Sequence, residues 1–417
     1  MKAAEHTAVV RLFKNDLKAV FLRRPNRFLI TAHPAIEAEA GAAKKDGKEL
    51  ACHCPNPGRL SELLFPGAEL ILEKRSGPGT PWTAAALKRD SSYKNAIVPL
   101  CSSRANDAAE KLILKEIIPG LAEICREYSI GGSRFDFLCR SKNGKQHLVE
   151  VKACSLVEHG AAMFPDAPSA RALKHLEELI HFGKEGFICH VLFVIMHGDP
   201  KVFIPNLHTD PAFAAAIGCS APIKIHAALI RCEENGMASL VKKEIPISLD
   251  GKLAAADSGS YLVILEISEP CTVEIGSLGK LSFKAGWYVY SGSALKNLSA
   301  RTARHQRKIR KRKHWHIDYL TPHAKTIKTL AIRSFHNLEC DLALDLKKLG
   351  GLGIDGFGCS DCAVSKNSDS KNAGSLNTGS SNRCKSHLFY FSSPPGENRN
   401  FHDMLFMYRH VKFRKNP

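Results

Sequence analysis

The pentapeptide Leu-Val-Glu-Val-Lys at residues 148–152 sets a carboxylate and an ammonium two positions apart, inside a stretch with the composition of a strand. Successive side chains of a strand point to opposite faces, so Leu148, Glu150 and Lys152 share one face and Val149 and Val151 the other. Burying the charged face costs several kcal/mol unless the charges are paired or bound to something. Either this is an edge strand that shows Glu150 and Lys152 to water, or it is a metal site. A second carboxylate, Asp136, is separated from Glu150 by 13 residues, across what reads as a hairpin around Asn143-Gly144. A two-residue loop at 143–144 would set Asp136 opposite Val151. A three-residue loop at 142–144 would set it opposite Glu150, with Gly144 in the left-handed position that such loops favour. The second register, or a bulge of equal effect, is expected. It brings two carboxylates side by side, where they repel unless a hard cation such as Mg²⁺ or Mn²⁺ bridges them. Lys152 can then orient a nucleophilic water or stabilise a pentavalent phosphate, the chemistry of metal-assisted phosphodiester cleavage.

A second set of residues lies toward the C-terminus. Tyr261, in Gly259-Ser260-Tyr261, and Tyr290, in Tyr290-Ser291-Gly292, fall in the strand-like runs GSYLVILEI and GWYVYSGS. The helical run that follows presents Arg301, Arg304 and His305, and Glu339 comes 38 residues after Arg301. The bland reading is that the tyrosines are ordinary strand aromatics. Residues 296–313 hold nine Lys or Arg and no acid. Arg304, Arg307, Lys308, Arg310, Lys311, Arg312 and Lys313 are therefore expected to track a phosphate backbone, against the alternative of a solvated face. Arg59, in HCPNPGR, reads equally as a phosphate contact or a solvated turn arginine. Cys340, Cys362, Cys384 and His387 could close a zinc site, with CKSH giving a C-x₂-H pair. Their spacing fits no standard finger, and reduced thiols are the expectation.

The elements that must position these groups follow from the rest of the chain. RFLITAHPAI, ELACHCPN and AELILEKR are short strand-like runs parted by turn residues, which suggests a small N-terminal barrel of the OB type. From Arg104 to Cys125 the pattern is helical, with Ala108, Leu112 and Ile113 on one stripe and Pro119 interrupting it. SARALKHLEELIHFGKEG is a further helix, and HVLFVIM reads as a strand buried on both faces. Residues 245–258 form a small, polar linker, and 364–383, rich in Ser, Asn and Gly, read as a disordered loop.

Net charge is +18 over 417 residues and is unevenly spread. Lys and Arg outnumber Asp and Glu 16 to 10 over residues 1–95, balance at 18 each over 96–254, and reach 25 to 13 over 255–417. Basic ends around a neutral middle point to a polyanion partner, most simply nucleic acid. No apolar run is long enough to span a bilayer and no signal peptide is evident, so a cytoplasmic protein without membrane association is expected. Fourteen cysteines are too sparse for a disulfide scaffold.

The spacing of Asp136, Glu150 and Lys152 is the pattern of the PD-(D/E)XK nucleases. In a wider frame, HCPNPGRLSELLFPG (53–67), GGSRFDFL (131–138) and VEVKACSLVEHGAAMFPDAPSARALKHLEEL (149–179) closely resemble the sugar fermentation stimulation protein A family. The resemblance implies an OB-like barrel fused to a PD-(D/E)XK-like domain, with DNA binding. It places Asp136, Glu150 and Lys152 on the nuclease-like core, and Asp166, Arg171 and His175 on a downstream motif. There Asp166 is either a helix cap or a second acidic site residue. Pro57 stands where a threonine is expected, which removes a hydroxyl that could touch phosphate. The C-terminal set resembles a divergent branch of the GIY-YIG endonucleases, further marked by HWHIDYL (314–320). That likeness implies that a tyrosine helps to activate water, Arg301 stabilises the transition-state phosphate and Glu339 holds a divalent metal. It departs from the family in a longer spacer of 28 residues between the tyrosine motifs and in two serines for isoleucines.

The expected architecture is a multidomain α/β and α+β chain. Residues 1–95 form an OB-like domain, 96–244 a PD-(D/E)XK-like α/β domain and 259–417 a GIY-YIG-like α/β domain. The expected function is DNA binding, with RNA as a further candidate partner, and Mg²⁺- or Mn²⁺-dependent endonuclease capability. The competing reading is a non-catalytic DNA-binding regulator of sugar fermentation genes that keeps nuclease folds as scaffold.

Overall fold

Short alternating runs bounded by Gly and Pro close on themselves at the N-terminal end. Strands Leu17–Asn26, Leu29–Pro34, Leu50–His53, Glu69–Lys74 and Trp82–Lys88 form a five-stranded barrel, closed where Cys52 pairs in parallel with Trp82. Its interior is filled by Ala19, Phe21, Ile30, Cys52, Leu70, Leu72 and Ala84. This is the OB-type barrel expected from the sequence. The structure, a computed structural model, describes residues 8–35, 49–307, 313–360, 362 and 384–411. It divides into two units, Met1–Gly251 and Lys252–Pro417.

Within the first unit the barrel sheet continues through Ile97–Pro99 into Lys224–Cys232, Ile188–Ile195, Gln146–Cys154, Ser133–Ser141 and Leu121–Ile130. Gln146–Cys154 and Ile188–Ile195 run parallel, as do Ile188–Ile195 and Lys224–Cys232. The strand Val9–Arg11 joins this second part of the sheet by pairing with Met237–Lys242 rather than entering the barrel. Helix Ala170–Lys184 covers one face, its N-terminus capped by Ser169, whose hydroxyl accepts from the Ala172 N–H at 3.1 Å. It buries Ala172, Leu176, Leu179 and Phe182 against Leu148, Val191 and Phe193. The helical segment from Arg104 to Ile117 covers the other face and packs Ala105, Ala108 and Leu112 against Val149, Val151, Leu192 and Val194. The apolar run at 188–195 is thus buried on both sides, as its composition requires.

One sequence expectation is corrected here. Residues 121–125 are not a continuation of the helix but the start of strand Leu121–Ile130. Pro119 cannot extend a helix, and Gly120 takes a left-handed turn (φ +68°) that sends the chain back along Ser133–Ser141.

In the second unit an antiparallel sheet runs in the order Lys325–Arg333, Gly259–Ile267, Gly286–Ala294, Leu388–Phe391, Leu352–Gly353. One face carries Tyr261, Val263, Leu265 and Tyr290 under helices Leu298–Gln306 and His316–Leu320. The other carries Leu262, Ile264 and Val289 under helices Glu339–Lys348 and Arg399–His410. The long spacer between the tyrosines holds a small hairpin, Cys271–Glu274 with Lys280–Phe283. Among the described residues no helix is long and apolar enough to cross a membrane. The 364–383 loop lies outside the described residues.

Candidate functional site

The hairpin that carries Asp136 and Glu150 has the register of a three-residue loop. Val149 pairs with Phe137 and Leu148 with Leu138, and Gly144 takes φ +78°. Regular pairing stops at Val149, and the next ladder donor, the Val151 N–H, is given to the Asp136 carboxylate at 2.7 Å instead. Asn106 donates to the other Asp136 oxygen at 2.8 Å. Beside it, Glu150 is 4% exposed. Its Oε1 accepts from Lys152 Nζ at 2.6 Å and faces His175 Nδ1 at 2.5 Å. Its Oε2 is buried with no hydrogen-bond partner among the described residues.

The electrostatics follow from this geometry. Burial, then the nearby Glu150 charge, raise the Asp136 carboxyl above its ordinary range, against the bonds from Val151 and Asn106. Burial alone would raise Glu150 too, but the contacts from His175 and Lys152 outweigh it and hold that carboxyl low. So the pair is an ionised Glu150 beside a carboxyl that is harder to ionise, with an ammonium on one side.

The downstream motif splits. His175 reaches the site from helix Ala170–Lys184, one turn after Arg171, which is exposed. Asp166 is not the cap of that helix, a role taken by Ser169. Its carboxylate instead accepts from the Leu60 N–H at 3.3 Å, and a Cβ on Gly58 would fall 2.3 Å from it. The HCPNPGRL loop therefore docks on Asp166. Arg24, absent from the sequence reading, holds the same loop through the carbonyls of Asn56 and Gly58, each at 2.8 Å. Arg59 projects to solvent at its tip. Asn106 was also invisible in sequence, because no spacing rule ties a residue of one helix to an acid 30 positions on. Arg24 lies in a pair of strand arginines and gave no signal to single it out.

In the second unit Tyr261 opposes Gly292 directly across the sheet, and a Cβ on Gly292 would lie 2.5 Å from Tyr261 Cζ. The glycine of Tyr-Ser-Gly is thus the seat of the other tyrosine's ring. The rings of Tyr261 and Tyr290 lie 6.4 Å apart, and His305 Nε2 meets the Tyr261 hydroxyl at 3.0 Å. Burial pushes both phenols well up, with Arg301 opposing this at Tyr261 and the Tyr261 and Glu339 charges adding to it at Tyr290. Arg301 stacks on Trp315 with its guanidinium carbon 3.9 Å from the ring centre. Glu339 accepts from the Ser293 hydroxyl at 2.6 Å, and its other oxygen stands 2.8 Å from His387 Nδ1. Tyr261, Tyr290, Arg301 and Glu339 are therefore neighbours. His305, four residues after Arg301 on the same helical face, was legible as a partner by that spacing.

Of the expected nucleic-acid contacts, one is revised by its partner. Arg304 does not offer its guanidinium to a phosphate: it forks onto Asp318 at 2.9 and 2.8 Å, and that carboxylate also caps the N–H groups of His314 and Trp315. Arg307 and Lys313 are exposed. Lys308, Arg310, Lys311 and Arg312 lie outside the described residues. Cys340, Cys362, Cys384 and His387 converge in one group.

An OB-type barrel running into an α/β sheet with a buried acid–acid–lysine group, followed by a separate α/β unit, defines a chain of nuclease-like architecture. Comparison with known proteins agrees domain by domain. Residues 22–97 match the SfsA N-terminal OB domain, residues 103–235 the sugar fermentation stimulation protein RE domain, and residues 260–369 a domain of unknown function, DUF123. The sugar fermentation stimulation protein homolog of Pyrobaculum islandicum is 35% identical over 239 residues, 57% of this chain and 96% of that protein. The homolog of Methanothermobacter thermautotrophicus is 36% identical over 214 residues, 50% of this chain and 82% of that protein. The solved structure of Pyrococcus furiosus SfsA in complex with Ca²⁺ aligns with a TM-score of 0.49 at 26% identity, over 58% of this chain and 100% of that one. The chain belongs to the sugar fermentation stimulation protein family, with a DUF123 domain following the family's own domains.

Proposed function

We propose that this protein binds DNA and that its RE domain is a divalent-metal-dependent phosphodiesterase site built on Asp136, Glu150 and Lys152. The observation that carries this reading is the bare, buried Oε2 of Glu150 beside a carboxyl that burial, and then the Glu150 charge, make hard to ionise. A buried acceptor left without a donor is costly, and a hard cation is the partner that also relieves the carboxylate pair. Asp136 and Glu150 would hold Mg²⁺ or Mn²⁺, which when bound supplies a Lewis acid and an activated water. Lys152 supplies a fixed positive charge beside the reacting phosphate, and His175 fixes the orientation of Glu150. DNA as partner rests on the OB domain, on the charge of +18 and on the exposed Arg59, Arg307 and Lys313.

In the DUF123 domain, Tyr261, Tyr290, Arg301 and Glu339 support a second, GIY-YIG-type site. There Arg301 would face the phosphate, and Tyr261, a phenol kept neutral by burial and bonded to His305, would help to orient and activate the attacking water. The competing reading is a DNA-binding regulator without catalysis, in which Lys152 and His175 hold Glu150 Oε1 as a purely structural contact.

The test incubates the full chain with plasmid, branched, single-stranded DNA and RNA substrates, with Mg²⁺, Mn²⁺ or EDTA. Cleavage should require the metal. Lys152→Ala should lower it by about 100-fold or more, and combining it with Glu339→Ala should abolish it. Cleavage that persists in the double variant rejects both site assignments. Binding without cleavage under either metal establishes the regulator instead.

A further inference from the structure

We propose that Cys340, Cys362, Cys384 and His387 hold a structural zinc ion in the DUF123 domain, with Glu339 as its outer-shell carboxylate. The four ligands come from separate parts of the chain. Cys340 lies in the first turn of helix Glu339–Lys348, Cys362 follows the turn after Phe357, and Cys384 and His387 lead into strand Leu388–Phe391. Nothing in the backbone pairing requires three thiols to meet at one imidazole, yet they do. The sulfur–sulfur separations are 3.3 Å for Cys340–Cys384, 3.5 Å for Cys362–Cys384 and 3.5 Å for Cys340–Cys362. His387 Nε2 lies 3.1 Å from Cys384 Sγ, 3.5 Å from Cys362 Sγ and 3.7 Å from Cys340 Sγ.

These distances approach those of a tetrahedron around one small cation, the sulfurs lying a few tenths of an ångström closer together than zinc would hold them. Zinc bonds of about 2.3 Å to sulfur and about 2.0 Å to nitrogen put tetrahedral sulfurs about 3.8 Å apart and sulfur and nitrogen about 3.6 Å apart. A disulfide explains them less well. It would join two of the three sulfurs and leave the third thiol and the imidazole without a purpose, and none of the three is bonded to another. The donor set selects the metal: three thiolates and an imidazole are soft, close the tetrahedron and leave no position for water, as in structural zinc sites.

The orientation of His387 is the independent second observation. The ring is buried, its Nε2 faces the sulfurs, and its Nδ1 lies 2.8 Å from Glu339 Oε1, close to that carboxylate but not aligned on it as a hydrogen bond. Glu339 is itself fixed by the Ser293 hydroxyl at 2.6 Å. A carboxylate behind the non-ligating nitrogen fixes the tautomer and raises the basicity of a zinc-binding histidine. Cys359 is nearby in sequence but turns its thiol to the Lys385 carbonyl at 3.2 Å and stays outside the set.

The wild-type full chain, purified without chelator, should contain one zinc per chain, and X-ray absorption at the zinc edge should show three sulfurs and one nitrogen. Exchange with Co²⁺ should give the intense visible bands of a tetrahedral thiolate site. Cys384→Ser should lose the zinc and Cys359→Ser should keep it. Glu339→Ala should keep the sulfur shell but weaken zinc against a competing chelator by about 10- to 100-fold. A chain that neither contains zinc nor takes it up overturns the proposal. So do a shell of oxygen and nitrogen only, a disulfide among the three cysteines in freshly purified protein, and full zinc retention by Cys384→Ser. The spectroscopic tests use wild-type protein, so a variant that fails to fold does not remove them, and none depends on nuclease activity.

Discussion

Glu150 and Glu339 are both acidic residues expected to hold a divalent metal, both have a histidine beside them, and their oxygens are used differently. At Glu150 a lysine and a histidine converge on one oxygen and the other is left bare in the interior. At Glu339 the oxygens are divided, one toward His387 and one to Ser293. The first arrangement keeps a coordination position in reserve. The second spends the carboxylate on aligning an imidazole that faces three sulfurs. On the two proposals above, the same residue type at a motif position would be a ligand in waiting in the RE domain and a positioning group in the DUF123 domain. Metal dependence should differ accordingly: Mg²⁺ or Mn²⁺ would act on Asp136 and Glu150, whereas chelation of zinc would loosen the wall of the Tyr261 site.

The largest effect that sharpens this contrast concerns two arginines on one helix. Arg301 faces the tyrosines and stacks on Trp315, while Arg304 is committed to Asp318, whose side chain is fully buried. Removing one partner of a buried pair leaves the other charge uncompensated, which costs about 3–5 kcal/mol. Arg304→Ala should therefore lower the stability of this unit by about that amount in urea denaturation. Arg301→Ala, with no such buried partner, should cost far less and act on cleavage. Equal losses of stability would erase the division between a structural and a reactive arginine.

The RE domain offers a different handle in a row of histidines. His147 Nδ1 meets His190 Nε2 at 3.0 Å, His190 Nδ1 meets His226 Nε2 at 3.0 Å, and His226 Nδ1 reaches Glu244 at 3.0 Å. With Glu244 accepting, each ring carries its proton on Nδ1 and passes its Nε2 lone pair to the next. Burial, then the neighbouring His226, His147 and Lys224, hold His190 down to about 3. An unfolded chain would protonate it near 6.5. Above that pH both states are neutral and the row carries no penalty. As pH falls from about 6.5 toward 3 the unfolded state gains the proton first, so folding is progressively disfavoured, by about 2 kcal/mol at pH 5 for His190 alone. Urea midpoints at pH 7 and pH 5 measure this. His190→Gln should flatten the pH dependence, and an unchanged slope would show that the row does not govern it.

What could be read in advance follows from locality. The Asp136–Glu150 register was legible because a three-residue loop with Gly144 is a local rule acting over ten residues. The helix of Ala170–Lys184 was legible from its apolar stripe, and His175 fell on its inner face. The four proposed zinc ligands were legible as a candidate set but not as a site, because their spacing fits no standard finger and Cys340, Cys362 and Cys384 come together only through the fold. Arg304 misled for the opposite reason. A run of basic residues reads as one electrostatic surface, and only the fold shows that its third basic residue, Arg304, is turned inward to meet Asp318. The two candidate sites differ in this respect too: Asp136, Glu150 and Lys152 lie on one hairpin, whereas the DUF123 groups meet through contacts 40 or more residues apart, such as Cys340 with His387 and Tyr261 with His305.

The smallest effect separates the two serines that replace the isoleucines of the tyrosine motifs. Both Ser260 and Ser291 are fully buried. The Ser260 hydroxyl accepts from the Leu338 N–H at 2.9 Å, one residue before the helix that begins with Glu339. It accepts from an N–H at a helix start, where the helix has no carbonyl of its own to offer as acceptor. The Ser291 hydroxyl has no hydrogen-bond partner among the described residues. Ser260→Ala should therefore cost about 1 kcal/mol, since it strands a buried N–H. In a unit of this size that lowers Tm by about 2–4 °C. Ser291→Ala should be neutral or slightly stabilising, because it removes a buried polar atom that makes no bond. If Ser260→Ala also weakens zinc binding, the path runs from the first tyrosine motif through Leu338 to Glu339 and His387, and the departure from isoleucine is part of how this domain places its carboxylate. If the two variants melt alike, Ser260 is only a small residue in a tight strand and the helix start needs no support from it.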